Sequence, residues 1–368
     1  LGHEFRTPIN GVMGMGELLS DTHLTHTQRD YLETITLAGG DLLHLVSEMS
    51  DFAKLQSGRI NLDHRAFDLS NCLSQCMARY QQEANRKQIE LVLDIADDIS
   101  PRLLGDKNRL QTIITNLIGQ SLRHSESGEL ELKVFHVGMN KHEGIFFQIQ
   151  LTGSLIENDE LRRLFRTMAG PQEQKSVFNL DQGLGLIIVK RLVSLMEGSI
   201  EVETLTNHGC SITLFLPIQE ELTEHIEEDA TQLAGQRILI VDDNTTFRGV
   251  IEKQVKRWGM KADSTYSGKE ALALMRNKAN LGEPYDFIVI DHDMPIMNGI
   301  QLTERLMADM DIEPKPMRIM LTGLGIGSAN QEAKEAGIQK IVNKPVSGRH
   351  LKDVLLEFHK LLKPLNMK

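Results

Sequence analysis

The sequence predicts a multidomain chain: an α-helical hairpin, a mixed α/β sandwich, and a doubly wound parallel α/β domain. Three observations carry this. At 368 residues the chain is too long for one hydrophobic core. Its first two segments space apolar residues at alternating steps of three and four, a helical seam. From Gly235 onward, continuous apolar runs alternate with amphipathic stretches, which means parallel strands covered by helices on both faces. The expected boundaries are 1–65 for the hairpin, 66–219 for the mixed domain, 220–234 for an acidic linker and 235–368 for the parallel domain. Hydrophobic content of 40% and charged content of 25% are ordinary for globular protein. A net charge of -11 argues against a nucleic-acid surface.

The opening string LGHEFRTPINGVMGMGELL sets Phe5, Ile9, Val12, Gly16 and Leu19 on one helical seam. His3 falls off that seam, almost a full turn from Thr7, and so faces solvent or a docked partner. Pro8 removes one backbone donor and is expected to bend the helix beyond His3. Gly11, Gly14 and Gly16 each cost on the order of 1 kcal/mol in a helix, which leaves it pliable. SDTHLTHTQ reads as a turn in which Thr25 or Thr27 opens a second helix. There Ile35, Ala38, Leu42, Leu45, Met49 and Phe52 repeat at steps of three and four. Two such helices have too little core of their own. A four-helix bundle formed with a second hairpin would bury both seams; docking of the hairpin on its own chain is the alternative.

Ser57–Leu69 ends the hairpin. Ser70 is expected to cap a helix through about Lys87, followed by a strand at IELVLDIA. Gly105–Ser125 reads as a helix whose Leu110, Ile113, Ile114, Leu117 and Ile118 face a core. Strands are expected at about 129–138 and 144–151, then a short helix near 157–165 and a polar stretch to Gln182. GLGLIIVKRLVSLMEG reads as a glycine turn entering a helix, and IEVET with CSITLFLP as a closing hairpin. Glu220–Asp229 is an acidic run with little core potential. Cys72, Cys76 and Cys210 are the only cysteines. With no third or fourth ligand near the first two, they read as reduced core thiols.

In the last domain the apolar runs are RILIV, MKADS, DFIVI, MRIML and KIV, with helices at Thr245–Arg257, Gly268–Lys278, Gly299–Met310 and Leu351–Leu362. Asp242 and Asp243 follow the first run, Asp291 the third, Thr322 the fourth and Lys344 the last. All five polar groups therefore fall at carboxyl ends of strands, where open α/β sheets build their sites. Three carboxylates in one crevice repel and require a cation, and an all-oxygen set suits Mg²⁺. Lys344 supplies a point charge for an incoming phosphoryl group and Thr322 a hydroxyl donor. Asp291 would be the nucleophile that takes the phosphoryl as an acyl phosphate.

The pattern VDDN…DHDMPIMNG…LTG…NKP resembles response-regulator receiver domains, of flavodoxin-like fold, over about Gly235–Leu362. That resemblance implies that Asp242 and Asp243 hold the metal with help from the Asp293 backbone carbonyl. It also implies a cis Lys344–Pro345 bond. Where many receivers carry an aromatic switch, three residues before Lys344, this chain has Ile341. HEFRTP is similar to the phospho-acceptor box of sensor histidine kinases. There His3 would be the acceptor, Glu4 the base that draws its proton, and Thr7 the residue that orients water for dephosphorylating a receiver aspartate. Arg6 has the charge to meet a phosphoryl group.

The middle, about Ala66–Pro217, then looks like the ATP-binding domain of such a kinase. DQGLGL matches the second glycine box, in which Gly183 and Gly185 would let the backbone approach phosphates at a helix N-terminus. Asp106, Arg109 and Asn116 match the asparagine helix. Its second, metal-carrying asparagine is Gln120 here, and Mg²⁺ tolerates displaced ligands poorly. The first glycine box reads Leu151-Thr152-Gly153-Ser154-Leu155: Gly153 is kept, while the adenine-reading aspartate has become Leu151 and the second glycine Leu155. Sites that lose such a polar partner can lose discrimination by about 10⁴. Asp181 adds a carboxylate where triphosphate would lie. ATP is therefore expected to bind weakly or not at all.

The resemblance implies a hybrid sensor kinase whose nucleotide domain has become structural. It would act by pairing its bundle with itself or with another histidine kinase, by dephosphorylation at Thr7, or as a relay through Asp291 to a downstream phosphotransfer protein or response regulator. An active kinase that charges His3 from ATP and passes the phosphoryl to Asp291 is the competing reading, and a non-catalytic scaffold a third. No apolar run approaches a membrane span. The absence of an initiator Met leads us to expect a preceding anchor, with this piece as the cytoplasmic part of an inner-membrane bacterial sensor.

Overall fold

The computed structural model describes the chain except residues 1, 21, 23, 57–61, 124, 137–143, 154–179, 205–208, 222–231, 324–328 and 363–368. Helices α1 (Gly2–Ser20) and α2 (His26–Gln56) form the hairpin. Thr25 opens α2: the Gln28 amide donates to Thr25 Oγ1 at 3.3 Å and the Thr25 amide to Gln28 Oε1 at 3.0 Å, a reciprocal cap. Gly16 is buried against α2, where a Cβ would meet Thr36 and Leu32, and a Cβ on Gly39 would meet Met13 Sδ. Gly16 is thus a point of close helix approach and not only a source of pliancy. The seam is divided between two tasks. Gly16 faces α2, while Val12, Leu19, Ile35, Leu42 and Met49 stay about half exposed or more.

The mixed domain runs β1 (Arg65–Asp68), α3 (Leu69–Ala78), α4 (Gln81–Arg86), β2 (Ile89–Ile95), β3 (Arg102–Gly105) and α5 (Lys107–Arg123). It continues with β4 (Gly128–Phe135), β5 (Ile145–Thr152), α6 (Leu180–Leu195), β6 (Ser199–Thr204), β7 (Cys210–Leu216) and β8 (Gln219–Glu220). Its main sheet has the order β2-β4-β5-β7-β6, with β2 parallel to β4 and the other pairs antiparallel. Alternate residues of β5 turn inward. They share one apolar core with Leu110, Ile113 and Leu117 of α5 and Val189 and Leu192 of α6. All three cysteines are free and buried.

Several local expectations are corrected. The cap of α3 is Asp68, whose carboxylate accepts from the Asn71 amide at 2.8 Å; Ser70 is buried in the first turn instead. The helix expected to reach Lys87 breaks into α3 and α4 at Arg79–Tyr80, where the Tyr80 hydroxyl donates to the Thr115 carbonyl of α5 at 2.9 Å. β1, β3 and β8 form a small separate antiparallel sheet. Strand β4 stops at Phe135. Helix α6 begins at Leu180, so Asp181–Gly185 lies within the helix and not in a turn before it. The helix expected near 157–165 lies outside the described residues.

The parallel domain runs β9 (Arg237–Val241), α7 (Thr245–Arg257), β10 (Lys261–Thr265), α8 (Gly268–Asn280), β11 (Phe287–Asp291) and α9 (Gly299–Ala308). It ends with β12 (Met317–Thr322), α10 (Ala329–Ala336), β13 (Lys340–Asn343) and α11 (Gly348–Leu362). All neighbours in the order β10-β9-β11-β12-β13 are parallel. Two apolar cores, one on each side, contain alternate strand residues: Ile238 and Ile240 in one, Leu239 and Val241 in the other. Helix α10, which the sequence reading left out, links β12 to β13. No helix among the described residues is long and apolar enough to cross a membrane.

Candidate functional site

At the carboxyl end of the parallel sheet, Asp242, Asp243 and Asp291 come together. One carboxylate oxygen from each lies within 4.8 Å of the others, a spacing and donor set that fit a hard divalent cation. Lys344 follows directly on the edge strand β13, at the same carboxyl end. Its Nζ lies 2.8 Å from Asp242 Oδ2, 2.8 Å from Asp291 Oδ1 and 2.9 Å from Glu90 Oε1. The ammonium also sits over the Phe247 ring, 4.4 Å from its centroid, a cation–π contact. Thr322 is buried at the end of β12, where its carbonyl accepts the Lys344 amide at 2.8 Å. The Lys344–Pro345 bond is cis. Asp293 stands outside the three-carboxylate cluster, exposed, 3.7 Å from His292 Nε2; the sequence reading used its backbone carbonyl, not its side chain.

Local sequence explains the placement. Asn244 caps α7, accepting the Phe247 amide at 2.7 Å, while its own amide donates to Asp242 Oδ1 at 2.8 Å. Arg248 Nη1 donates to the Asp242 carbonyl at 2.7 Å. Burial pushes the Asp242 carboxyl up to about 7; Lys344 opposes the shift and the Asp291 charge adds to it. For Lys344, burial disfavours the charge, but Asp242, Asp291 and Glu90 together outweigh it and hold the amine above the ordinary lysine value.

In the mixed domain, Leu151 is 1% exposed near the end of β5, paired with Leu130 and Cys210 of the neighbouring strands and part of the apolar core. Asn116 is buried and donates to the Thr112 carbonyl of its own helix at 2.8 Å. Gln120, one turn on, is buried with no partner for its Oε1 among the described residues. Asp106 is structural: it accepts the Arg109 amide at 3.0 Å and the Asp63 amide at 3.1 Å, capping α5 and fixing the chain that enters it. Gly153 has φ +81, and a Cβ there would lie 2.8 Å from the Ser127 carbonyl. Glycine at 153 thus answers a close approach to the start of β4, whatever else it contacts. Gly183 and Gly185 lie inside α6, and Gly185 is buried; the glycine turn that was to carry them is absent because the helix starts at Leu180. Ser154, Leu155 and the polar stretch beyond them lie outside the described residues.

His3 and Glu4 fall in the first turn of α1, and their side chains lie outside the described part. Arg6 and Thr7 are exposed on the same helix. Three families match along the chain. Residues 1–58 match the His Kinase A (phospho-acceptor) domain, and 105–220 the histidine kinase-, DNA gyrase B- and HSP90-like ATPase. Residues 238–356 match the response regulator receiver domain. The chain belongs to the hybrid sensor histidine kinases.

This hybrid kinase is 25% identical to the autoinducer 2 sensor kinase/phosphatase LuxQ of Vibrio harveyi over 97% of its own length and 42% of the relative's. It is 34% identical to the signal transduction histidine-protein kinase BarA of Escherichia coli (strain K12) over 67% of its length and 27% of that protein's. The chain thus spans less than half of either relative. Full-length ShkA, solved in complex with AMPPNP, superposes with a TM-score of 0.65 at 26% identity, over 97% of this chain and 70% of that one. Sequence reasoning about the hybrid kinase missed Glu90, Asn244, Phe247 and Arg248 around the receiver lysine. Asn244 had a signal, since an Asn just before a helical run is a cap candidate. Glu90 had none, because it comes from another domain.

Proposed function

We propose that this chain is the phosphorelay portion of a hybrid sensor kinase whose ATP site is impaired, so that it works through phosphosites charged by a partner. The observation that carries the reading is Leu151, fully enclosed in apolar core at the position from which family members read adenine. A hydrogen bond to a charged partner contributes roughly 1.5–3 kcal/mol, and hydrocarbon offers none of it. In this reading His3 accepts or returns a phosphoryl group, Glu4 takes the imidazole proton, and Thr7 positions water for hydrolysis of a receiver acyl phosphate. Asp291 receives the group, with Lys344 and Thr322 meeting its oxygens and Asp242, Asp243, Asp291 and the Asp293 carbonyl holding Mg²⁺, which supplies charge neutralisation when bound. A relative named as a kinase/phosphatase supports hydrolysis as one output. The same proposal puts these domains on the cytoplasmic side of an anchored sensor, acting on a second kinase, a phosphotransfer protein or a response regulator.

Incubation with labelled ATP and Mg²⁺ tests this. The expected result is little or no acid-labile, base-stable label on the chain. Robust label that disappears in His3→Gln would establish the second reading, an autophosphorylating kinase. One observation favours that second reading: Gln120 Oε1 is buried and unpartnered among the described residues, as a waiting ligand atom would be.

Pairing through the hairpin belongs to the same proposal. Ile35, Leu42 and Met49 recur at heptad spacing on α2 and are each about half exposed or more, as expected of a seam awaiting another bundle half. Ile35→Glu with Leu42→Glu should convert a dimer into a monomer by light scattering at micromolar concentration. A double variant that still elutes as a dimer would put the pairing surface elsewhere.

A further inference from the structure

The receiver packs against the outer face of β2 and the start of β4, and the contact is built around the phosphorylation site itself. Glu90 and Glu129 are register partners on adjacent strands. Glu90 accepts from Lys344 Nζ at 2.9 Å, and Glu129 Oε2 accepts from Asn244 Nδ2 at 3.1 Å. Between Glu90 and Asp94 on that face, Val92 is fully buried and belongs to the receiver's apolar core rather than to that of its own domain. Around this centre, Arg257 meets Asp97 at 2.6 Å and Arg349 meets Asp68 at 3.3 Å. Acidic groups on the ATP-binding domain thus meet basic and amide groups on the receiver. The peripheral pairs are half exposed and weak, so Val92 and the Glu90–Lys344 pair hold the centre of the dock.

We propose that Glu90 competes with a phosphoryl group on Asp291 for Lys344, so that the docked receiver accepts phosphate slowly and phosphorylation releases the dock. This rests on Asp291 being the acceptor. An ammonium has three donors, and here three carboxylates of Asp242, Asp291 and Glu90 lie at 2.8–2.9 Å from it. A phosphoryl oxygen of the incoming donor, arriving while Asp291 is still a free carboxylate, must displace one of them. Asp242 and Asp291 belong to the receiver and stay with it; only Glu90, on a different domain, leaves by a rigid displacement. A phosphoryl group near two negative charges would also repel the Glu90 carboxylate beside it. Glu90 is therefore a positioning residue for the receiver reaction: it occupies the lysine until the phosphoryl arrives.

The test uses the full chain with Mg²⁺ and acetyl phosphate. An Asp291 carboxylate oxygen forms a bond to phosphorus as the bond from phosphorus to the acetate oxygen breaks, and acetate leaves with that electron pair. Formation of the acyl phosphate should be about tenfold faster in Glu90→Gln and in Val92→Asp than in the wild type. In parallel, deuterium uptake of peptides spanning 89–95 and 245–257 should rise in the wild type when Mg²⁺ and beryllofluoride are added, while uptake across β5 and β7 stays unchanged. Equal rates in all three chains, or acceleration in Glu90→Gln alone, would overturn the dock, the latter because Glu90 would then act as a lone charge. Unchanged uptake at 89–95 with beryllofluoride bound would overturn the release. Acyl phosphate in none of the chains would remove the acceptor reading as well.

Discussion

Lys344→Met is expected to destabilise the receiver by about 3–5 kcal/mol at neutral pH and to remove acyl phosphate from Asp291. Nζ is the one cation within hydrogen-bond reach of the Asp242, Asp291 and Glu90 carboxylates among the described residues, and the first two are almost fully buried. Methionine keeps most of the volume and the contact with Phe247, so the loss reports charge rather than a cavity. The pH dependence follows from Asp242, whose folded pKa of about 7 already stands above the ordinary carboxylate range. A carboxyl raised in this way holds its proton longer folded than unfolded, so it withdraws stability as pH rises from its unfolded value to its folded one. Without the ammonium, which lowers it, the folded value climbs further. The gap between variant and wild type should therefore be smallest near pH 4 and widen above pH 7, where wild-type Asp242 has released its proton. Trp258, the only tryptophan, is buried in the receiver core, so its fluorescence in urea follows this domain selectively. A variant as stable as the wild type at pH 8.5, measured in chelator, would mean that the carboxylates are neutralised by other means.

The receiver was the most legible part of the sequence, and the reason is physical. Strands buried on both faces are continuous apolar runs, so their ends are visible, and five polar residues at those ends mark one edge of the sheet. Helix α10 escaped because ANQEAKEA offers only alanines as apolar residues, too thin a pattern for periodicity. The cap of α3 was misplaced by two residues because Asp68 and Ser70 are both competent caps, and only the backbone decides between them. β1, β3 and β8 are two to four residues long, shorter than any alternation can reveal. In the hairpin, heptad spacing located the apolar residues but could not say which would face α2 and which would be left outward. Glu90 shows the wider limit. It alternates correctly as an outward residue of β2, and nothing in a strand's periodicity tells water from a neighbouring domain.

Leu151→Asp combined with Gln120→Asn is expected to raise the affinity for magnesium AMPPNP by about 10- to 100-fold by calorimetry. Leu151 is enclosed, so an unliganded aspartate there is buried among hydrocarbon and stays protonated or destabilises its domain. The apo double variant should therefore melt below the wild type. Saturating nucleotide should return part of that loss, since a ligand bound only by the folded state stabilises it in proportion to the logarithm of its concentration over Kd. The asparagine shortens residue 120 by one methylene and withdraws a carbonyl that is now buried without a partner among the described residues; this half of the variant bears on the metal, the aspartate on the base. The two single variants separate them: Leu151→Asp alone should restore discrimination of adenine over guanine nucleotides, and Gln120→Asn alone should raise the dependence of binding on Mg²⁺. Micromolar binding by the wild type, unchanged in the double variant, would mean that Leu151 does not face the nucleotide and that the chain retains an ATP site read by other groups.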